Sequence, residues 1–317
     1  MQSKKKRFVI DCDTGIDDSL ALLFAGLRED VEIVGICSSF GNCTAHQAAA
    51  NSMKILDLID YPDIPIAIGA ERPLVGEPEL ATYVHGNNGI GDVELPESRR
   101  SFSDLNSVDL LLKLVRDNPG ELTLITLGRM TNVALALEKE PDLPKLVKKL
   151  VFMGGTIYQE GNVAPFTEAN IGGDPLAANR VLSAGFDAIQ VGLDVTQTTH
   201  LTTDDLKWLK DNCAKKNEAA VDYLLKALVG YFRFNRDASG MIDCCPVHDP
   251  MAMLLAVIPE LAEYEYWPAT VETEGRYTKG QIVIDKRLHP ENWPRLGIAM
   301  KVDHRKCVET LLNEFCR

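Results

Sequence analysis

The sequence predicts an α/β fold: a single domain with a mostly parallel central sheet flanked by helices, Rossmann-like in plan. Short apolar runs alternate with amphipathic stretches along most of the 317 residues. No internal repeat, low-complexity tract or linker interrupts that alternation, so residues 1–317 are expected to form one domain. Polar residues able to carry chemistry gather just after the apolar runs, where ligands bind in such sheets.

Phe8 to Ile10, Ile33 to Cys37, Ile66 to Ile68, Leu122 to Leu127, Leu150 to Met153 and Ala188 to Leu193 read as buried strands. Between them Asp17 to Leu27, Ala45 to Ile59, Val108 to Val115 and Pro175 to Ala184 carry apolar residues at helical spacing. Strand then helix, repeated, places helices on both faces of a parallel sheet. From Leu201 to Val257 the pattern is mostly helical, and Tyr264 to Val271 and Gln281 to Ile284 read as further strands on the same body.

Apolar residues make up 45% of the chain, enough to build a core. A net charge of -13 argues against nucleic acid as partner, because binding a polyanion needs lysine and arginine against its phosphates. It weighs less heavily against a phosphorylated small molecule, since a local basic pocket can sit on an acidic protein. No run approaches the roughly 18 apolar residues of a membrane span, and the start MQSKKKRFVIDCD lacks the features of a signal peptide. Lys4 to Arg7 read as a solubilising, frayed terminus. The eight cysteines form no CxxC pair and several lie in strand-like runs, which fits a reducing cytoplasm.

Chemistry concentrates in FVIDCDTGIDDSLALLFA, where Asp11, Asp13, Asp17 and Asp18 crowd the junction of a strand and a helix. Carboxylates at that density repel, and a hard divalent cation with oxygen ligands, Ca²⁺ or Mg²⁺, resolves the repulsion. The plainer alternative makes Asp17 and Asp18 favourable charges at a helix N-terminus. In VHDPMAM, Asp249 precedes a proline at a helix start and by itself reads as a cap, with His248 a loop histidine. The stretch GNVAPFTEANIGGDPLAA brings Asn162, Glu168 and Asn170 together, amides and a carboxylate suited to a polyhydroxylated ligand such as ribose.

These stretches together resemble the inosine-uridine preferring nucleoside hydrolases. DCDTGIDDSLAL is similar to that family's DTDPGxDDAxA signature. Further family-like stretches follow in order: Gly41 to Asn42, VHGNNGIG, LGRMTNVALAL, Met153 to Gly155, GNVAPFTEANIGGDPLAA, GLDVT, VHDPMAM and TKGQIVID. The resemblance implies the nucleoside hydrolase fold, water-driven cleavage of the N-glycosidic bond of a ribonucleoside to free base and ribose, a Ca²⁺ cofactor, and assembly as a dimer or tetramer. Carried over by position, it makes Asp13 the general base acting on a Ca²⁺-bound water. Asp13, Asp18, Asp249 and the backbone carbonyl of Leu127 become metal ligands. Asp17, Asn170 and Asp249 match binders of the 2′ and 3′ hydroxyls, and Asn162, Glu168 and the Met153 region match binders of the 5′ hydroxyl. Asn42 matches a position near the attacking water, His248 the proposed leaving-group acid, and His85 a second histidine over the base. For His85 the alternative is a loop histidine that shapes a flap.

Carboxylates suit this reaction because positive charge builds on the ribosyl ring in the transition state. The chain departs from the family pattern at Cys12, Thr14, Arg129, Met130 and Leu176. None of these removes an implied ligand, but Thr14 lacks the rigid φ of the signature proline, so a less preorganised aspartate loop is expected. Tyr231, Phe232 and Phe234 are spaced to line a base pocket, although aromatics on helices more often pack in the core. Two other functions compete. One is a non-catalytic nucleoside- or ribose-binding protein on the same fold. The other is a haloacid-dehalogenase-like phosphatase, which also begins with an aspartate pair after its first strand but leaves the Asn162–Asn170 and His248–Asp249 stretches unexplained.

Overall fold

The computed structural model describes residues 5–317. Its strands run in chain order as β1 (Lys6–Cys12), β2 (Val31–Ser38), β3 (Ile66–Ala67), β4 (Thr123–Thr126), β5 (Lys149–Met153) and β6 (Ala188–Val191). They continue as β7 (His200–Thr202), β8 (Cys244–Pro246), β9 (Ala262–Val271), β10 (Ile282–Ile284) and β11 (Arg295–Val302). Nine of them form one sheet in the order β10-β9-β11-β6-β5-β4-β1-β2-β3, while β7 and β8 pair separately. From β3 through β11 every neighbouring pair is parallel. At the far edge β9 runs antiparallel to β11 and β10 antiparallel to β9.

The period-two alternation of β1 divides the core. Phe8, Ile10 and Cys12 pack on one face, against Leu22, Phe24 and the buried residues of helix Asp249–Val257. Val9 packs on the other, in a cluster with Leu111, Leu124 and Val133. Both faces are thus covered, as the near-continuous apolar strands require.

From β1 the chain builds outward through β2 and β3, then returns and builds the other way through β4, β5 and β6. The strand order therefore reverses between β1 and β4, and the crevice beyond their carboxyl ends is where a ligand enters. Asp13 follows β1 and Leu127 follows β4, so both border that crevice.

Three local readings change. Lys4 lies outside the described residues, but Lys6 and Arg7 open β1: the Lys6 ammonium donates to Val257 O at 2.5 Å and Arg7 pairs with Glu32 at 3.1 Å. Within Leu201 to Val257 the helices Thr203–Asn212, Glu218–Ser239 and Asp249–Val257 are interrupted by β8, which pairs with β7. Leu193 starts the helical turn Leu193–Thr196 instead of ending β6. Beyond these, β11 and the helix His304–Asn313 complete the body.

Candidate active site

The aspartate loop connects β1 to helix Ile16–Leu27. Its anchoring runs through the residues that depart from the signature. Thr14 Oγ1 lies 2.7 Å from Ser52 Oγ and 3.3 Å from Cys12 Sγ, and Asn51 Nδ2 donates to Thr14 O at 3.0 Å. A hydrogen-bonded chain thus links the loop to helix Ala45–Asp57 at the position where the signature proline would act through its ring. At the helix start, Gly15 N–H donates to the buried Asp18 Oδ2 at 2.8 Å, so Asp18 closes the first turn.

Four acidic side chains meet there. Oxygens of Asp17, Asp18 and Asp249 approach within 4.8 Å of one another. Asp13 stands beside them with its two oxygens in unlike surroundings. Its Oδ2 accepts from Asn42 N–H at 2.8 Å and from Arg129 Nη1 at 2.6 Å, whereas Oδ1 is buried with no partner. Asp18 repeats the asymmetry, since Oδ2 also accepts from Asn42 Nδ2 at 2.9 Å and Oδ1 has none. Asn42 therefore ties the two carboxylates together.

Burial raises the proton affinity of the whole group. The carboxyl of Asp17 is pushed up to about 7, first by desolvation and then by the charge of Asp13. Asp18 and Asp249 rise well above the ordinary range for the same reasons. Asp13 is raised by desolvation against the opposing pull of Arg129. A cation among these oxygens would reverse that balance and satisfy the orphaned Oδ1 atoms, so the donor set fits a hard, oxygen-ligated divalent ion.

The opposite wall comes from the loop after β5. Glu168, buried, accepts from the N–H groups of Gly155, Asn170 and Ile171 at 2.8, 2.8 and 3.1 Å and caps the short helix Ala169–Gly173. That fixes Asn170, whose Nδ2 donates to Leu127 O at 2.6 Å and reaches Met153 O at 3.3 Å. Asn162 Oδ1 accepts from Ala169 N–H at 3.0 Å. Glu168, Asn162, Asn170, Met153 and Leu127 all line the same cavity, of about 710 Å³, together with Asp17, Asn42 and Asp249.

Two histidines close the third side. His248 Nδ1 lies 2.9 Å from Thr196 Oγ1, and burial lowers its pKa to about 4. His85 Nδ1 accepts from Ile16 N–H at 3.2 Å, so its proton sits on Nε2. Burial first, then the charges of Arg129 and His248, lower its pKa to about 3. His85 thus serves the first turn of helix Ile16–Leu27 and also lines the cavity, with its ring 5.8 Å from that of Tyr231. The aromatic trio divides: Tyr231 and Phe234 face the cavity, while Phe232 packs in the core.

Residues 8–309 match the model of the family described as inosine-uridine preferring nucleoside hydrolase. The chain belongs to this family. It is 37% identical to uridine nucleosidase 1 of Arabidopsis thaliana over 90% of this chain and 83% of that protein. It is also 33% identical to the pyrimidine-specific ribonucleoside hydrolase RihA of Salmonella paratyphi B, over 96% of each. Among solved structures, the purine-preferring ribonucleoside hydrolase from Gardnerella vaginalis superposes with a TM-score of 0.91 at 32% identity, covering 98% of both chains. The protein is a hydrolase of the N-glycosidic bond of ribonucleosides. Names specifying uridine, pyrimidine and purine recur at similar identity, so family membership sets the reaction and not the base.

The nucleoside hydrolase sequence also holds a site residue that motif reading passed over. Arg129 was visible as a departure from the family's Pro-Leu, but only the fold brings it across 116 positions to Asp13. Asp11, read in the sequence as one of the four crowded acids, finds its partner away from the other three. It is buried, accepts from Asn132 Nδ2 at 2.8 Å, and has its carboxyl pushed up to about 8 by desolvation.

Proposed function

We propose that this hydrolase uses Asp13 as the general base and His248 as the group that assists the leaving base, with Ca²⁺ held by Asp13, Asp18, Asp249 and the Leu127 carbonyl. The observation that carries the reading is the buried, unpartnered Oδ1 of Asp13 beside the acidic cluster, whose Asp17 and Asp249 line a cavity large enough for a nucleoside. A bound cation would supply the electrostatic hold on the attacking water. The remaining work falls to side chains. Asp13 takes a proton from water as its oxygen bonds to C1′, the C1′–N bond breaks, and its electron pair passes to the base. Asp17, Asn170 and Asp249 would hold the 2′ and 3′ hydroxyls and Asn162, Glu168 and Met153 the 5′ end, while the carboxylates favour the positive charge growing on the sugar. Asn42 supports this by fixing Asp13 and Asp18.

Burial keeps His248 neutral in the resting site, and in the tautomer whose Nδ1 accepts from Thr196 its Nε2–H would be free to face the leaving base. It offers a hydrogen bond first and gives up the proton as negative charge develops. His85 and Tyr231 would flank the base. The unpaired state of all eight cysteines supports work in a reducing compartment such as the cytoplasm, and no helix among the described residues is long and apolar enough to cross a membrane. We further infer that residues 1–317 act as one domain in a homodimer or homotetramer.

The deciding assay is base release from a panel of purine and pyrimidine ribonucleosides, with and without a calcium chelator. Release of base and reducing sugar that the chelator abolishes and Ca²⁺ restores is the expected result. Unchanged turnover in chelator would remove the metal from the reading, and nucleoside binding without release would favour a non-catalytic binder.

A further inference from the structure

Arg129 stands in a slot made for it. A Cβ on Gly41 would lie 1.7 Å from Arg129 Nη1, and one on Gly173 would lie 2.5 Å from Nε, so only glycine at both positions lets the side chain through. Its guanidinium carbon sits 5.6 Å from the Phe40 ring centroid. The residue is 5% exposed, ion-paired to Asp13 Oδ2, and its Nε is buried without a partner. A permanently charged group has therefore been brought into contact with the carboxylate cluster, whose other three carboxylates meet no lysine or arginine among the described residues, only the neutral His85, 3.9 Å from Asp17.

We propose that Arg129 is a resident counter-charge: it holds Asp13 in place and stabilises the acidic cluster when no divalent ion is bound, and by the same charge weakens the binding of that ion. The inference rests on the metal reading above. A guanidinium touching the same carboxylate as the divalent ion repels it through a few ångströms of poorly screened space, which lowers affinity by roughly one to two orders of magnitude. Because Arg129 occupies only Oδ2, the orphaned Oδ1 stays available, so the two cations share Asp13 instead of excluding each other. In consequence the enzyme would fill with calcium only at concentrations higher than its carboxylate count suggests.

Calorimetric titration of the chelator-stripped full chain with Ca²⁺ tests this on the wild type, Arg129→Gln, Arg129→Met and Arg129→Lys. Glutamine retains a hydrogen bond to Asp13 without charge, which guards against a variant that fails only by misfolding. Affinity at least about tenfold tighter in Arg129→Gln and Arg129→Met, with Arg129→Lys within about threefold of wild type, is expected. The rise in Tm on adding Ca²⁺ would be larger in Arg129→Gln than in wild type, by linkage. Calcium binding that Arg129→Gln leaves unchanged or weakens overturns the proposal while leaving the metal reading intact. Absence of binding in every protein, wild type included, overturns both.

Discussion

Replacing Asp13 by asparagine isolates the chemistry from the architecture. The two donors on Oδ2, Asn42 N–H at 2.8 Å and Arg129 Nη1 at 2.6 Å, select the amide carbonyl for that position. The amide NH₂ then falls where Oδ1 now lies unpartnered, replacing the basic lone pair with a donor. Shape and both anchoring hydrogen bonds survive, whereas the capacity to accept a proton from water and the oxygen offered to the divalent ion do not. Loss of a positioned base costs about two to four orders of magnitude in kcat, equivalent to roughly 3–5.5 kcal/mol in the barrier. The ribose contacts assigned to Asp17, Asn170 and Glu168 are untouched, so nucleoside Kd is expected to stay within about threefold, as uniform binding is separate from transition-state stabilisation. Steady-state release of base gives the first quantity, and calorimetric titration of the slow variant with substrate gives the second. A collapse of binding with kcat merely halved would refute the argument and make Asp13 a structural holder of the cluster.

Asp18→Ala removes both an oxygen with no present partner and the acceptor of Gly15 N–H, so Ca²⁺ affinity and activity are expected to fall together. An Asp18→Ala enzyme fully active in chelator would sink the assignment. For His248→Ala, a natural nucleoside is expected to slow by about two orders of magnitude or more while a nitrophenyl riboside, whose leaving group needs no proton, is spared. Equal losses on both substrates would assign His248 to support of the site. The pH dependence of stability follows from Asp11, whose folded carboxyl lies at about 8 against 3.8 unfolded. A raised pKa contributes stability that is full below the unfolded value and lost as pH rises towards the folded one. In chelator the protein is therefore expected to lose about 1.4 kcal/mol per pH unit from this group between roughly pH 5 and 7. Thermal unfolding across that range checks the slope, and Asp11→Asn is expected to reduce it by about that amount, the raised carboxyls of Asp17, Asp18 and Asp249 supplying the remainder; an unchanged slope in the variant would place the protonation elsewhere.

Much of the fold was readable in the chain because parallel strands buried on both faces must be apolar throughout, which is how β1, β2, β4 and β5 announce themselves. The helices Asp17 to Leu27 and Pro175 to Ala184 were equally plain, since their apolar spacing and first-turn residues are local signals. By contrast β8 is only three residues long, and its pairing with β7 closes a loop of more than forty residues, which no local pattern encodes. The role of Glu168 divides in the same way. Sequence marks it as a polar residue on a glycine-rich loop, whereas its three backbone donors come from a cap and from Gly155 after another strand.

The sequence by itself determined the parallel α/β plan, the family, and the set of acids, amides and histidines that line the cavity, because composition, periodicity and motif order are properties of neighbours along the chain. Tertiary structure alone decided how those groups share their charge. It put the reversal of strand order between β1 and β4, joined Asp13 to Asp18 through Asn42, and split the aromatic trio between cavity and core. It also turned Arg129 from a motif mismatch into the ion-pair partner of the candidate base. Electrostatic energy depends on distance and on exclusion of water, and neither exists until segments remote in sequence have packed together.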